Sequence, residues 1–429
     1  MGRAAIDLCL AKLARNPSFG MIGDWPSSIG ARSMVWLCAG GGDPTMTYAN
    51  GRAICDADSH LMELPDFLTR HADPADRETM PALGSLATGQ FNPAGHVGKA
   101  GHAPERVAEL IALGDGLTRG PKWHDALGAF SGPERSTALD LLGFQRQVIF
   151  SSFCARPIFE AEGAVRYAAA RAHNRAMAAF CGHDPRLIGV AIVPLDDVAL
   201  ALAEIGEAHA LGLGAVWVAA APPGGRSPGH VDHEPIWALL AERRMPFILH
   251  VGSSPLSIEN AWMNDGRPDR RTARGGAEVI GSKDLTVIHQ AAQKFISVLV
   301  LDGVLERHPG LRGAVIELGA GWVPDMIRRL DHAQEIWARS EPFLAEMRRR
   351  PSEQIREQLR FTPYPFEDVA AFIAESAPEL YLFSSDYPHA EGGRDPLGRF
   401  DRTLADTDEA AKSRFYAANF RDLYPAAFA

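Results

Sequence analysis

Cysteine is scarce and unpatterned. The five present, Cys9, Cys38, Cys55, Cys154 and Cys181, are odd in number and form no C-x-x-C pair. That excludes a disulfide framework and a thiolate zinc site and leaves them as small buried hydrophobes. Positive charge is also short: 43 Lys and Arg face 53 Asp and Glu, a net charge of -10. Nothing electrostatic therefore draws the chain to nucleic acid or to an anionic membrane surface. Long apolar runs are missing too. The nearest uncharged stretch, Ala210 to Gly225, is cut by glycines and prolines and is no membrane span. Asp7, Lys12 and Arg15 fall where a signal peptide would carry its apolar segment, so a cytoplasmic protein is expected. No internal repeat or low-complexity tract is evident.

Apolar residues, by contrast, make up 46% of the 429, enough to bury a large core. Residues 1–50 are rich in Gly, Ser and Pro and read as a loosely ordered extension ahead of one domain over 51–429. In that domain short apolar runs alternate with amphipathic stretches, as βα units do. Strands are expected at Ala53–Asp58, Gln147–Phe150, Leu187–Pro194, Ala215–Ala220, Pro246–His250, Arg312–Glu317, Leu359–Thr362 and Leu380–Ser385. Helices are expected at Glu134–Gly143, Glu160–Cys181, Asp197–Leu211, Glu234–Arg244, Leu285–Glu306, Val323–Trp337 and Pro365–Ser376. Eight such units suggest an α/β (β/α)8 barrel, with a doubly wound open sheet as the alternative. Insertions follow the first strand, Pro65–Arg135, and the fifth, Pro255–Ala277; the first is long enough to serve as a lid.

Polar clusters close four of these strands: Asp56-Ala-Asp58-Ser-His60, His250, Glu317 and Asp386. A parallel barrel opens all its strand ends onto one face, so these residues would meet there. Asp58 and His60, two apart on a strand, point to one side. With His250 and Asp386 they supply two imidazoles and two carboxylates, enough for one open Zn²⁺ or Mn²⁺ site.

The segments Asp56-Ala-Asp-Ser-His-Leu-Met-Glu63, Pro246-Phe-Ile-Leu-His250, Gly303-Val-Leu-Glu-Arg-His-Pro-Gly-Leu-Arg312, Glu317-Leu-Gly-Ala-Gly-Trp-Val-Pro324, Phe383-Ser-Ser-Asp-Tyr-Pro-His-Ala-Glu391 and Asn419-Phe-Arg-Asp-Leu-Tyr424 occur in this order. They resemble the amidohydrolase-related family, most of all its branch of aminocarboxymuconate-semialdehyde and resorcylate-type decarboxylases. The resemblance implies a distorted (β/α)8 barrel with a divalent metal, Zn²⁺ or alternatively Mn²⁺, and commonly a homodimer. It places Asp58 and His60 at the His-x-His pair, His250 at the third ligand, and Asp386 at the last ligand and proton carrier. Two positions depart from the pattern: Asp58 stands for the first His, and Glu317 for a sixth-strand His. The fourth strand, Gly214–Ala221, has no lysine to bridge two metals, so one metal is expected.

Alternatives stay open for several residues. Asp58 either ligates or orients His60, as Asp56 does. Glu317 is either a general base or a structural acid paired with an arginine. Glu63, Trp322, His389 and Arg394 stand beside the motifs as candidates for substrate binding. His289 reads as a core or surface residue of a helix, and His96, His102 and His124 as loop histidines unless the insertion covers the site. Trp36, Trp123, Trp217 and Trp237 read as packing residues.

The first reaction implied is non-oxidative decarboxylation of a small aromatic or unsaturated carboxylate. The second is hydrolysis of an ester, lactone or amide by metal-activated water. A barrel that has lost its chemistry is the third reading.

Overall fold

The computed structural model describes residues 47–83, 99–253, 258, 260–267 and 281–428. The expected insertion Pro255–Ala277 falls mostly outside them, as do residues 1–46 and His96. Thr47–Ala429 forms one compact unit, into which Tyr48 and Ala49 donate backbone hydrogen bonds to Leu141 and Leu142.

Among the described residues, seven parallel strands form one curled sheet in chain order: β1 Cys55–Leu61, β2 Arg146–Ser151, β3 Leu187–Ile192, β4 Ala215–Trp217, β5 Phe247–His250, β6 Gly313–Ile316 and β7 Leu359–Phe361. Nearly every strand residue is buried, as expected where helices cover the outer face and side chains fill the inner one. Helices Gly163–Cys181, Val198–Ala210, Glu234–Arg243 and Val323–Trp337 connect successive strands. Local chemistry sets their ends: the Asp197 side chain accepts from the Leu200 amide at 3.0 Å, and Gly212 takes φ +81° just past the C-terminus.

Three expectations are corrected. First, β1 runs over Cys55–Leu61 instead of Ala53–Asp58, so His60 lies within the strand and not beyond it. Second, Leu380–Ser385 forms no regular strand. Its backbone joins β7 through Phe361 N to Leu380 O (2.8 Å) and Leu382 N to Phe361 O (3.0 Å). It joins β1 through Ala57 N to Phe383 O (3.0 Å), and beyond it Asp386 N reaches Asp58 O (2.9 Å). Beside this segment β1 shifts register against β2 between Asp56 and Ser59, and Asp386 turns to φ +53°. Third, the single helix expected at Leu285–Glu306 splits into Ser282–Leu285, Gln290–Leu301 and Val304–Arg307, with Gly303 at φ +75° between the last two.

Between β1 and β2 the described residues carry helices Phe67–His71 and Pro104–Ile111 and lead into Gly132–Leu142. At Gly128, φ is +72° and a Cβ would stand 2.4 Å from the Arg135 Cα, so only glycine lets the turn close on that arginine. Among the described residues no helix is long and apolar enough to cross a membrane.

His173, fully buried on helix Gly163–Cys181, is held near pKa 4 by burial, against 6.5 ordinarily. Between these values the unfolded chain takes up a proton that the folded chain refuses, so stability falls as pH falls. The expected loss from this group is on the order of 3 kcal/mol. Urea unfolding of wild type and His173→Gln at about pH 7 and about pH 4.5 measures it, the variant showing the shallower dependence; equal slopes would contradict it.

Candidate metal centre

β1 presents Asp58 and His60 on one side, with His60 Nε2 3.3 Å from Asp58 Oδ1. His250 ends β5, and its Nδ1 lies 2.9 Å from the Val251 carbonyl. A carbonyl only accepts, so Nδ1 carries a hydrogen and Nε2 is the atom turned into the site. That Nε2 is 3.4 Å from Asp58 Oδ1 and 3.4 Å from Glu317 Oε2. Glu317 Oε2 is also 3.7 Å from His60 Nε2, and Asp386 Oδ1 is 3.5 Å from it. Residues up to 328 positions apart in the chain thus converge on a few ångströms, all at the C-terminal strand ends.

Glu317 and Asp386 share a signature that their side chains alone would not reveal. Both adopt left-handed backbone, at φ +56° and +53°, a costly conformation for such residues that the surroundings must impose. The Glu317 amide donates to Thr362 Oγ1 (2.9 Å) and its carbonyl accepts from the Tyr364 hydroxyl (3.1 Å).

Beneath the cluster, the fully buried Arg135 guanidinium donates to the carbonyls of His60 and Gly128 and to Gln147 Oε1. Asp56 accepts from Gln147, from the Ser385 amide (2.8 Å) and from the Ser385 hydroxyl (2.6 Å). It ties β1 to the 380–387 segment, and burial pushes its carboxyl up to about 7.

The remaining candidates separate. His389 stacks on His60 at 3.8 Å and its Nδ1 lies 3.1 Å from Asp386 Oδ1. Glu63 is buried, and its carboxylate accepts from the amides of Ser152, Phe153 and Cys154, each at 2.9 Å. It clamps the chain after β2. Glu63→Ala leaves these donors unpaired and should cost about 3 kcal/mol or more of stability, read from urea unfolding; a loss under about 1 kcal/mol would contradict the clamp. Arg394 is exposed and donates to the Arg119 carbonyl (3.2 Å). Trp322 stacks on His289 (5.5 Å) and with it lines a pocket of about 190 Å³ shared with Leu318, Tyr364, Phe366 and Glu367. His289 is thus the cap of helix Gln290–Leu301 facing a pocket, rather than a residue inside a helix.

The first insertion does reach the site, through residues the sequence did not single out for it. The Trp123 ring lies 4.8 Å from His389 and its amide donates to Pro388 O (3.0 Å). Lys122 Nζ donates to Gly393 O (2.8 Å), and burial lowers its pKa to about 8. His102 and His124, expected as loop histidines, hold this insertion together: His102 bridges Glu134 Oε2 (2.7 Å) and the His124 carbonyl (2.8 Å), while His124 Nε2 lies 3.1 Å from the Glu63 carbonyl. No local pattern marks these long-range contacts.

The amidohydrolase family profile matches residues 139–426, about two thirds of the chain. The chain belongs to the amidohydrolase family. No curated protein matches its sequence. Among solved structures, an amidohydrolase from Mycobacterium avium subsp. paratuberculosis K-10 is similar at 24% identity and TM-score 0.68, covering 87% of this chain and 99% of that one. The 2,6-dihydroxybenzoate decarboxylase from Rhizobium is similar at 18% identity and TM-score 0.56, with coverages of 87% and 99%. A 5-carboxyvanillate decarboxylase from Novosphingobium aromaticivorans, solved with bound manganese and a nitrobenzoic acid, gives 17%, 0.56, 87% and 97%. These likenesses show a shared fold.

As a metal-dependent enzyme of this family, the chain carries a donor set that suits a divalent cation. Two imidazoles and two carboxylates, Asp58, His60, His250 and Glu317, bring one ligand atom each within 4.8 Å of one another. Burial opposes ionisation of Asp58, but His250 and His60 outweigh it and hold its carboxyl below the usual range. Burial and then the Glu317 charge push Asp386 well above that range, while burial and the neighbouring His60 and His250 keep His389 neutral. A cation here would balance carboxylates otherwise crowded in a dry site.

Proposed function

We propose that the chain is a mononuclear metal-dependent decarboxylase acting on a small aromatic or unsaturated carboxylate. In this reading residues 51–429 form one (β/α)8-like barrel whose eighth stave is the irregular 380–387 segment. Asp58, His60, His250 and Asp386 surround the Zn²⁺ or Mn²⁺ ion, which when bound would stabilise negative charge on a substrate oxygen.

The observation that carries the reading is the proton arrangement at Asp386. The Ser152 hydroxyl lies 3.0 Å from the Leu61 carbonyl and 3.3 Å from Met62 Sδ. Ser152 Oγ also lies 2.8 Å from His389 Nε2, and His389 Nδ1 stands 3.1 Å from Asp386 Oδ1. Asp386 is buried and shares His60 Nε2 with Glu317, at 3.5 and 3.7 Å, and burial with the Glu317 charge favours its protonated form. Decarboxylation needs such an acid: Asp386 gives its proton to the carbon bearing the carboxylate, the C–H bond forms, the bond to the carboxylate breaks, and CO₂ leaves.

Hydrolysis is the second reading, favoured by Glu317: its side chain is 11% exposed and could serve as a base toward water. The metal-loaded enzyme, screened against hydroxybenzoates, unsaturated carboxylates, esters and lactones, is expected to release CO₂ from a carboxylate. Turnover of esters or lactones alone would overturn the decarboxylase reading.

A further inference from the structure

The pocket of about 190 Å³ beside Trp322 shares no lining residue with the metal centre: none of Asp58, His60, His250, Glu317, Asp386 or His389 faces it. Two stacked aromatic pairs build its walls, Trp322 with His289 (ring centroids 5.5 Å apart, planes at 17°) and Tyr364 with Phe366 (5.1 Å, 17°). Leu285 and Leu318 add apolar surface. Both platforms are fixed before any ligand arrives. The Trp322 indole donates to the Gly319 carbonyl (2.9 Å). The Glu367 carboxylate accepts from the amides of Ala320 and Gly321 (3.0 Å each) and of Tyr364 (2.8 Å), tying the loop after β6 to the loop after β7. The size suits one six-membered ring, since an apolar cavity of about 150 Å³ takes up benzene.

Polarity narrows the ligand further. The His289 ring caps no helix and makes no hydrogen bond to the described residues, so its nitrogens are left for a ligand. Burial lowers its pKa and keeps the ring neutral, and a neutral imidazole both donates and accepts, as a hydroxyl does. No lysine or arginine lines the pocket, whereas the Glu367 carboxylate does; an anionic ligand is disfavoured there. We propose that this pocket is a second binding site, for a neutral planar ring bearing a hydroxyl group, which packs on the aromatic walls and hydrogen-bonds to His289. Its walls contain no metal ligand, so the site stands independently of the metal reading above.

The test is titration calorimetry of wild type incubated with Zn²⁺, using phenol, toluene and benzoate, repeated on His60→Ala, His289→Leu and Trp322→Leu. Phenol is expected to bind His60→Ala within a factor of about three of wild type. Benzoate should bind that variant at least about tenfold more weakly than phenol. His289→Leu should remove the preference for phenol over toluene, worth roughly three- to tenfold, and leave toluene binding unchanged; it deletes no hydrogen bond of the fold. Trp322→Leu should weaken both neutral rings by about three- to tenfold. Absence of phenol binding to wild type up to about 10 mM would overturn the site. So would loss of phenol binding in folded His60→Ala, which would put the ring at the metal centre, or an unchanged phenol preference in His289→Leu.

Discussion

His60→Ala is expected to abolish both stoichiometric metal binding and turnover. His60 Nε2 lies within 3.7 Å of Asp58, Glu317 and Asp386, so every version of the ligand set includes it. Lewis-acid stabilisation is worth several kcal/mol, and its loss should lower turnover on the order of 10³–10⁴-fold. The fold should survive, because the Arg135 contact below is to the His60 carbonyl and not to its ring. Elemental analysis, turnover and circular dichroism of the variant check the three parts. His250→Ala should behave in the same way, since its ring nitrogen faces the same two carboxylates. A His60→Ala protein that keeps a full complement of metal would contradict the site.

Asp386→Asn is expected to remove proton delivery. The amide keeps the size of the side chain but cannot release a proton, and general-acid catalysis is worth roughly 10²–10⁴-fold. We expect kcat to fall by about 10³-fold with KM nearly unchanged. His389→Gln should lower kcat less, by on the order of tenfold, because it only positions that proton. A kcat within a factor of about ten of wild type in Asp386→Asn would remove this residue from the chemistry.

Much of this was legible in the sequence because strand ends carry their chemistry locally. The i, i+2 spacing of Asp58 and His60 and the apolar run before His250 pointed to three side chains that the structure brings together, with both imidazoles within 3.4 Å of Asp58 Oδ1. The eighth strand was half legible. Its apolar residues do lie between β7 and β1, but the register shift in β1 and the turn at Asp386 are tertiary effects that no period reveals. The same limit applies to Arg135. A fully buried guanidinium satisfied by carbonyls and Gln147 looks like any surface arginine of an amphipathic helix until the fold is known. Glu63 was singled out for its place beside the motif, yet its three amide partners are about 90 positions away. Lys122 and Trp123 reach His389 and Gly393 from an insertion with no periodic pattern.

The most direct measurement is the metal content of purified wild-type protein, counted per chain after removal of loosely bound ions. One Zn²⁺ or Mn²⁺ per chain, competed away by a strong chelator together with activity, is the expected result. Protein that holds no stoichiometric divalent ion, even after incubation with either metal, would contradict the metal centre and every reaction step assigned around it.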